Sequence, residues 1–329
     1  MHTAQISMTA LRGTLIAGFA FVSASASAQN YPVKPVKIIV PASPGGGIDT
    51  VARIAADKLS VAFGQQFIAE NRPGAGGRPG TDFAARAAPD GYTLLAGTAG
   101  TLILAPALYP KLPYAPARHF APISMMATTS YLLVSHPSVP ATSVKELVAL
   151  AKSRPGRLNY ASTGVGSPAH LGGALFDTLA GIRTTHVAYK GTVGSTTSVM
   201  QGETDFMFSN FLVSLPIMKS GRLRALGVTS LKRSAVAPDL PTIDESGLRG
   251  FEMQQYYSML APAGTGKDVV ARLNHEIVSR FAGGDTKSRL AADGTEVMTT
   301  TPDELGKILT AQIALWAAVI KKSTITLSD

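Results

Sequence analysis

The sequence predicts an α/β fold built from two units in tandem, each a mixed, mainly parallel sheet flanked by helices. Three observations predict it. Short β-branched or apolar runs alternate with segments of helical period through both halves of the chain. A glycine-rich loop stands between a strand and a helix once in each half. The length, 329 residues, allows about two domains with ample burial of apolar surface.

In chain order, Val36-Lys-Ile-Ile-Val40 has the β-branched character of a buried strand. The loop Pro41–Gly47 follows, then a helical pattern from Asp49 with Val51, Ile54, Ala55, Leu59 and Ala62 on one stripe. Positions 66–69 read as strand, 81–88 as helix and 92–96 as strand. The middle repeats this rhythm. A strand at 132–135 precedes a helix at 143–153, opened by Ser143 with Glu146 three residues on, a capping box. Strands at 158–161, 186–189, 205–208 and 223–228 alternate with helices at 168–180, 195–201 and 211–219. The tail turns helical at 267–281 and at 302–322, where Thr301, Pro302 and Glu304 fit the cap, first and third positions. The stripe Leu305, Ile308, Leu309, Leu315, Trp316, Val319 and Ile320 on that last helix is core packing. Two parallel-sheet units facing each other form a cleft at the carboxyl ends of their strands, where ligands bind in such sheets.

Composition excludes several classes of function. The chain has no cysteine, so it carries no disulfide scaffold, thiol nucleophile, Cys-ligated metal or lipid-modified cysteine. Lys and Arg exceed Asp and Glu by 30 to 21, a formal charge of +9, although only 16% of residues are charged against about 25% in ordinary domains. That excess favours anionic partners without choosing among them. Arg72-Pro-Gly-Ala-Gly-Gly-Arg-Pro79 is too short and too poor in aromatics for an RNA-binding segment and reads as a turn, so no nucleic acid is expected. His275-Glu276 lacks the second histidine of H-E-x-x-H, and no His/Asp spacing suits a metal, so neither metal nor cofactor is expected. At the start, Arg12, the apolar run 13–22 and Ala26-Ser-Ala28 form an export signal cut after Ala28, with Met8 an alternative start. The expected product begins at Gln29, is exported and soluble, and has no lipid anchor; no later apolar stretch reaches the ~18 residues of a membrane span.

The chemistry points to two loops. Ser43-Pro-Gly-Gly-Gly-Ile-Asp49 lacks the Lys-Ser/Thr of a phosphate loop and does not fit G-x-G-x-x-G. Its glycines let backbone N–H groups converge, and the helix that follows adds unpaired donors and a partial positive charge. A carboxylate or phosphate fits there without an arginine; an unliganded turn is the plain alternative. Asp49 is expected to cap that helix. Ser162-Thr-Gly-Val-Gly-Ser167 stands in the same place in the second unit, with Pro168 at the first helical position. Two such loops facing one another suit a ligand with a polar or acidic group at each end. Ser167 and His170 also admit a hydrolase reading, but Gly164-Val-Gly-Ser-Pro168 is not the G-x-S-x-G elbow. Asp205 opens a predicted buried strand and is either paired or at the cleft floor. Tyr256 and Tyr257 are cleft wall or core.

These residues stand in an order that is familiar as a whole. Tyr31–Pro41, Pro44-Gly-Gly and Asp49 are followed by Glu70-Asn-Arg-Pro-Gly-Ala-Gly-Gly77, Pro89–Leu95 and Leu112-Pro-Tyr114. Tyr160–Ser167, His170-Leu171, His186–Gly191, Leu240-Pro-Thr242 and Ala261–Thr265 complete the set. Over essentially the whole mature chain the sequence resembles the periplasmic solute-binding proteins of tripartite tricarboxylate transporters, the Bug or TctC type. The resemblance implies a two-lobed Venus-flytrap fold of the type II periplasmic-binding-protein kind. Its crossings fall near 125–131 and 250–260, so that 29–128 with 252–329 form one lobe and 129–251 the other. It implies a small carboxylate ligand (a di- or tricarboxylate, an amino acid or an aromatic acid), passed to membrane permease subunits by a monomeric binding protein. The site residues it implies are Ser43, Gly47, Ile48, Asp49 and Thr98 in the first lobe. In the second lobe they are Ser162, Thr163, Ser167, His170 and Asp205. A ligand-presenting adaptor for a signalling kinase would share the fold. Ala42 replaces a frequent aromatic residue, Ser43 a frequent proline or alanine, and Tyr256 a frequent tryptophan, implying a roomier cleft suited to an aromatic or longer dicarboxylate.

Overall fold

A computed structural model describes residues 31–189, 191–291 and 294–322. The expected export signal lies outside them. The first unit begins with β1 (Val36–Val40), α1 (Gly47–Phe63), β2 (Phe67–Asn71), α2 (Arg78–Ala85) and β3 (Thr93–Thr98). A π-turn at Gly100–Leu104 leads into the short helices α3 (Ala105–Leu108) and α4 (Pro116–His119). Next comes β4 (Phe120–Ser135), 16 residues long. The second unit holds α5 (Val144–Ser153), β5 (Asn159–Ser162), α6 (Pro168–Ala180), β6 (Thr185–Ala188), α7 (Thr192–Met200), β7 (Phe206–Asn210), α8 (Phe211–Lys219) and β8 (Arg224–Val228). The chain returns through β9 (Gln254–Pro262) and ends with α9 (Lys267–Phe281), α10 (Gly284–Ala291), β10 (Thr295–Val297) and α11 (Pro302–Lys322).

β1 pairs in parallel with β2 and β3, while β9 lies antiparallel between β3 and β4. In the second unit β5 pairs in parallel with β6 and β7, and β7 and β8 lie antiparallel to β4. The sheets are therefore mixed, with parallel outer strands and antiparallel strands where the units meet. β4 belongs to both: Phe120–Ser130 pair with β9, and Tyr131–Ser135 pair with β7. At the changeover the Tyr131 N–H donates to Thr229 Oγ1 at 2.7 Å, and Thr229 Oγ1 donates to the Met253 carbonyl at 2.6 Å. One buried hydroxyl thus ties the outgoing strand to the returning one. One apolar core fills the first unit around Val36, Ile38, Ile54 and Met259. A second, around Leu132, Met207 and Phe211, belongs to the other unit. The largest core runs through both, from Leu95 and Ile103 to Phe176, Phe208 and Trp316.

Candidate functional site

Strand register places the site. Thr98, the last residue of β3, lies opposite Tyr257, which lies opposite Ala127 on β4. Asn210, the last residue of β7, lies opposite Tyr131. The loop-bearing ends of both parallel sets therefore converge on positions 127–131 of β4 from opposite sides. Asp205 lies at the other end: its neighbour Phe206 pairs with Ser135, and its carboxylate accepts the Asn159 N–H at 2.6 Å. Five residues at ~3.3 Å each put Asp205 about 17 Å from Asn210. The expectation that Asp205 contacts ligand is thereby corrected. It stands at the amino ends of parallel strands, where it pins β5 to β7.

In the first unit, α1 starts two residues before the apolar pattern does, and Gly46 is its N-cap. Asp49 is thus not the cap but the third helical residue. Its Oδ2 accepts from the Gly45 N–H at 2.9 Å and from Arg53 Nε at 3.0 Å, and Oδ1 accepts from Asn71 Nδ2 at 2.9 Å. Asp49 is 3% exposed, so its carboxylate is committed to the loop. Burial opposes its charge, but the hydrogen bonds from Arg53, Gly45 and Asn71 together hold its pKa below the usual carboxylate value. The N–H groups of Gly47, Ile48 and Asp49 have no acceptor inside the helix. Ile48 turns its side chain into the core, and Ser43 stands exposed on the loop. A side chain at position 47 would overlap the Tyr257 hydroxyl, so glycine is required for that ring to lie against the first turn. Beside it, Thr98 Oγ1 accepts the Thr101 N–H at 3.2 Å, and Tyr114 Oη donates to the Thr101 carbonyl at 2.8 Å.

In the second unit Gly164 and Gly166 take φ of 134° and 77°, values that favour glycine and let the loop curl over the start of α6. Ser162 is fully buried; its hydroxyl accepts the Gly164 N–H at 3.1 Å and lies 2.6 Å from His186 Nε2. Ser167 caps α6, accepting the His170 N–H at 3.3 Å. His170 Nδ1 accepts the Gly166 N–H at 3.0 Å, and its ring stacks on His186 with centroids 3.8 Å apart. Burial, reinforced by His186, pushes the His170 pKa down to about 4, and burial lowers that of His186 as well. Thr163 is half-buried on the same loop.

Nine of the ten sequence-derived positions thus fall on strand ends, loops and first helical turns at the ends that converge on the centre of β4. Within that set Ser162, His170 and the Asp49 carboxylate shape the loops, whereas the N–H groups at 47–49 and the hydroxyls of Ser43, Thr98 and Thr163 are placed at the loop ends. Ser167 and His170 do not form a nucleophile–base pair, because the imidazole nitrogen that meets this loop is occupied by the Gly166 N–H. Four residues enter the site without having been assigned to it by sequence: Asn71, Tyr131, His186 and Arg53. Asn71 and His186 sit inside quoted motifs, but nothing in their spacing shows that they bond Asp49 and Ser162. No group of metal-ligating side chains, and no helix long and apolar enough to cross a membrane, occurs among the described residues.

Two sheets that share a long strand and turn their loop-bearing ends toward a common point define a two-lobed binding protein. The family model described as the tripartite tricarboxylate transporter family receptor, TctC, matches residues 51–325. The chain belongs to this family. Protein BugT of Bordetella pertussis is 33% identical over 303 residues, covering 92% of this chain and 93% of BugT. Among solved structures, R. palustris Rpa4515 with adipate has a TM-score of 0.71 at 33% identity, covering 88% of this chain and 97% of that one. MatC from Rhodopseudomonas palustris with bound malate has a TM-score of 0.69 at 32% identity, covering 88% and 99%.

Proposed function

We propose that this chain is a periplasmic solute-binding protein that captures a small carboxylate between its lobes and delivers it to the permease of a tripartite transporter. The observation that carries the reading is the convergence on 127–131 of two strand–helix turns, one per lobe. The unpaired N–H groups at the start of α1 and the Ser167–His170 turn of α6 form its two poles. Arg53, the cation at the first pole, already faces Asp49, so recognition falls to backbone N–H groups and hydroxyls. Ser43, Thr98 and Thr163 supply the hydroxyls. The lobes are 29–128 with 252–329, and 129–251, hinged near Tyr131 and Met253. Export follows cleavage after Ala28, and the product acts as a soluble monomer without a cofactor. Adipate and malate in the two relatives support a dicarboxylate class. A ligand that bridges both poles stabilises a closed arrangement, the form a permease would read.

A thermal-shift panel of malate, succinate, adipate, citrate, aspartate and terephthalate tests this. A ligand of the native state alone stabilises by about 2.7 kcal/mol at a hundred times its Kd. At least one carboxylate should raise the melting temperature, with adipate or terephthalate ahead of succinate. Failure of the whole panel would overturn carboxylate capture, and a preference for the shortest acids would overturn the roomier cleft.

A further inference from the structure

We propose that Asn71 is the positioning residue of the first half-site, a neutral bracket that holds both ends of the 42–49 loop so that the start of α1 can receive an anion. The inference deepens the carboxylate reading above and rests on it. Asn71 is the last residue of β2 and pairs with Val40, the last residue of β1. Its Nδ2 donates to the Ala42 carbonyl at 3.1 Å and to Asp49 Oδ1 at 2.9 Å. Its Oδ1 accepts from Arg53 Nη2 at 2.9 Å. One amide therefore joins the entry of the loop, its exit and the cation one turn further along α1. The position needs a group that donates to a carbonyl and a carboxylate while accepting from a guanidinium, and a carboxamide does all three.

Aspartate at 71 has nearly the same shape but the wrong protons. It would still accept from Arg53, yet it would turn lone pairs toward the Ala42 carbonyl and toward Asp49. It would also add a second negative charge beside the helix end whose N–H groups face the ligand. Two carboxylates in that contact cannot both stay ionised cheaply, so one of them takes up a proton above the usual carboxylate range. Protonated, the pair regains a donor at the place of the amide. The other charged groups on and beside the elements packed here are Asp57 and Lys58 on α1, Lys37 on β1, Glu70 on β2 with Arg72 just after it, and Arg78 and Asp82 on α2 with Arg86 at its C-cap; Lys37 and Arg72 pair with Glu70, Lys58 with Asp285 and Asp82 with Arg86. None of these is a histidine, so the native bracket has no group of its own that ordinarily titrates between pH 5.5 and 7.5.

The test is adipate and malate affinity by calorimetry for the wild type, Asn71→Asp and Asn71→Ala at pH 7.5 and 5.5, each variant read as its ratio to wild type at the same pH so that ligand protonation cancels. Asn71→Asp should bind at least tenfold more weakly at pH 7.5 and within about threefold of wild type at pH 5.5. Asn71→Ala should lose affinity by a similar factor at both. A pH-independent ratio for Asn71→Asp, or full affinity in a folded Asn71→Ala, would overturn the role of Asn71. If Asn71→Asp does not give a cooperative unfolding transition at pH 7.5, its affinity at pH 5.5 and the Asn71→Ala ratio decide. A wild type that binds no carboxylate would sink the capture reading, and this one with it; a wild type that binds beside unaffected variants sinks only this one.

Discussion

A glycine decides how close an aromatic ring can come to the first pole of the cleft. Gly47→Ala would drive a methyl into the Tyr257 hydroxyl, and because the ring lies among buried neighbours the loop must move instead. Overpacking of this kind costs about 1–3 kcal/mol, so this variant should unfold at lower denaturant and bind carboxylate more weakly. Unchanged values of both would show that the ring gives way freely. The stacked histidines make a second residue-scale prediction. Both are held neutral by burial, with the His170 pKa at about 4. At His170 the unfolded chain takes up a proton near pH 6.5 while the folded one does not, so its stabilisation is complete above that value and is lost as the pH falls toward 4. For His170 the loss is on the order of 3 kcal/mol. Urea unfolding of His170→Gln should show a shallower decline between pH 6.5 and 4.5 than the wild type; an equal decline would place the acid sensitivity elsewhere. At this scale the sequence revealed residue types without roles. Ser167 as a cap was readable because the N–H it accepts, that of His170, lies three residues along the chain. The partners of Asp49 and Ser162 were not, because Asn71 and His186 lie on neighbouring strands.

Helices that carry their own signals were legible to the residue. α6 and α11 have the bounds that Pro168 and Thr301-Pro302 announce, and the Thr301 hydroxyl and Glu304 carboxylate bond reciprocally as a capping box does. Removing the α6 cap by Ser167→Ala should cost about 1 kcal/mol, measured by chemical unfolding, and should weaken carboxylate binding by loosening the Gly164–Ser167 turn. A Ser167→Ala protein that kept full stability would show that Pro168 and packing alone set the start of α6. The strands that join the two units were the part least visible. Only the last four residues of β4 were read as strand, and β9 and β10 not at all. β4 and β9 are buried nearly throughout and mix Ser, Thr and Met with apolar residues, so neither alternation nor a purely β-branched run marks them. What makes them strands is pairing across more than a hundred residues of chain, Tyr257 opposite Ala127 for example. The resemblance to known relatives supplied an expectation of crossings near 125–131 and 250–260 that periodicity did not. The same pairing accounts for the misplacement of Asp205, since strand direction relative to β4 decides which end of β7 faces the cleft.

At the scale of the molecule, α11 bears on both lobes at once. It packs against the π-turn that follows Thr98 and against α6, which carries the second pole. A small cavity between these parts is lined by Ile103, Leu104, Pro168, Leu171, Tyr256 and Trp316. On the returning segment Glu252 collects Tyr256 Oη at 3.1 Å, Gln254 Nε2 at 2.8 Å and, from α11, Gln312 Nε2 at 2.9 Å. A rotation of one lobe about Tyr131 and Met253 therefore cannot leave this junction unchanged: α6 must slide on α11 or α11 must follow it. Packed interfaces adjust in discrete steps because dense interiors do not deform smoothly. Trp316 is the single tryptophan of the chain and is 5% exposed at this junction, so its emission isolates the event from the rest of the fold. Saturation with a carboxylate shown by calorimetry to bind should shift the Trp316 emission maximum or its acrylamide quenching, with the same midpoint as the calorimetric titration. Trp316→Phe should keep the affinity and lose the signal. Binding without any change at Trp316 would mean that the lobes close about a junction further from α11, with the helix riding on the first lobe alone.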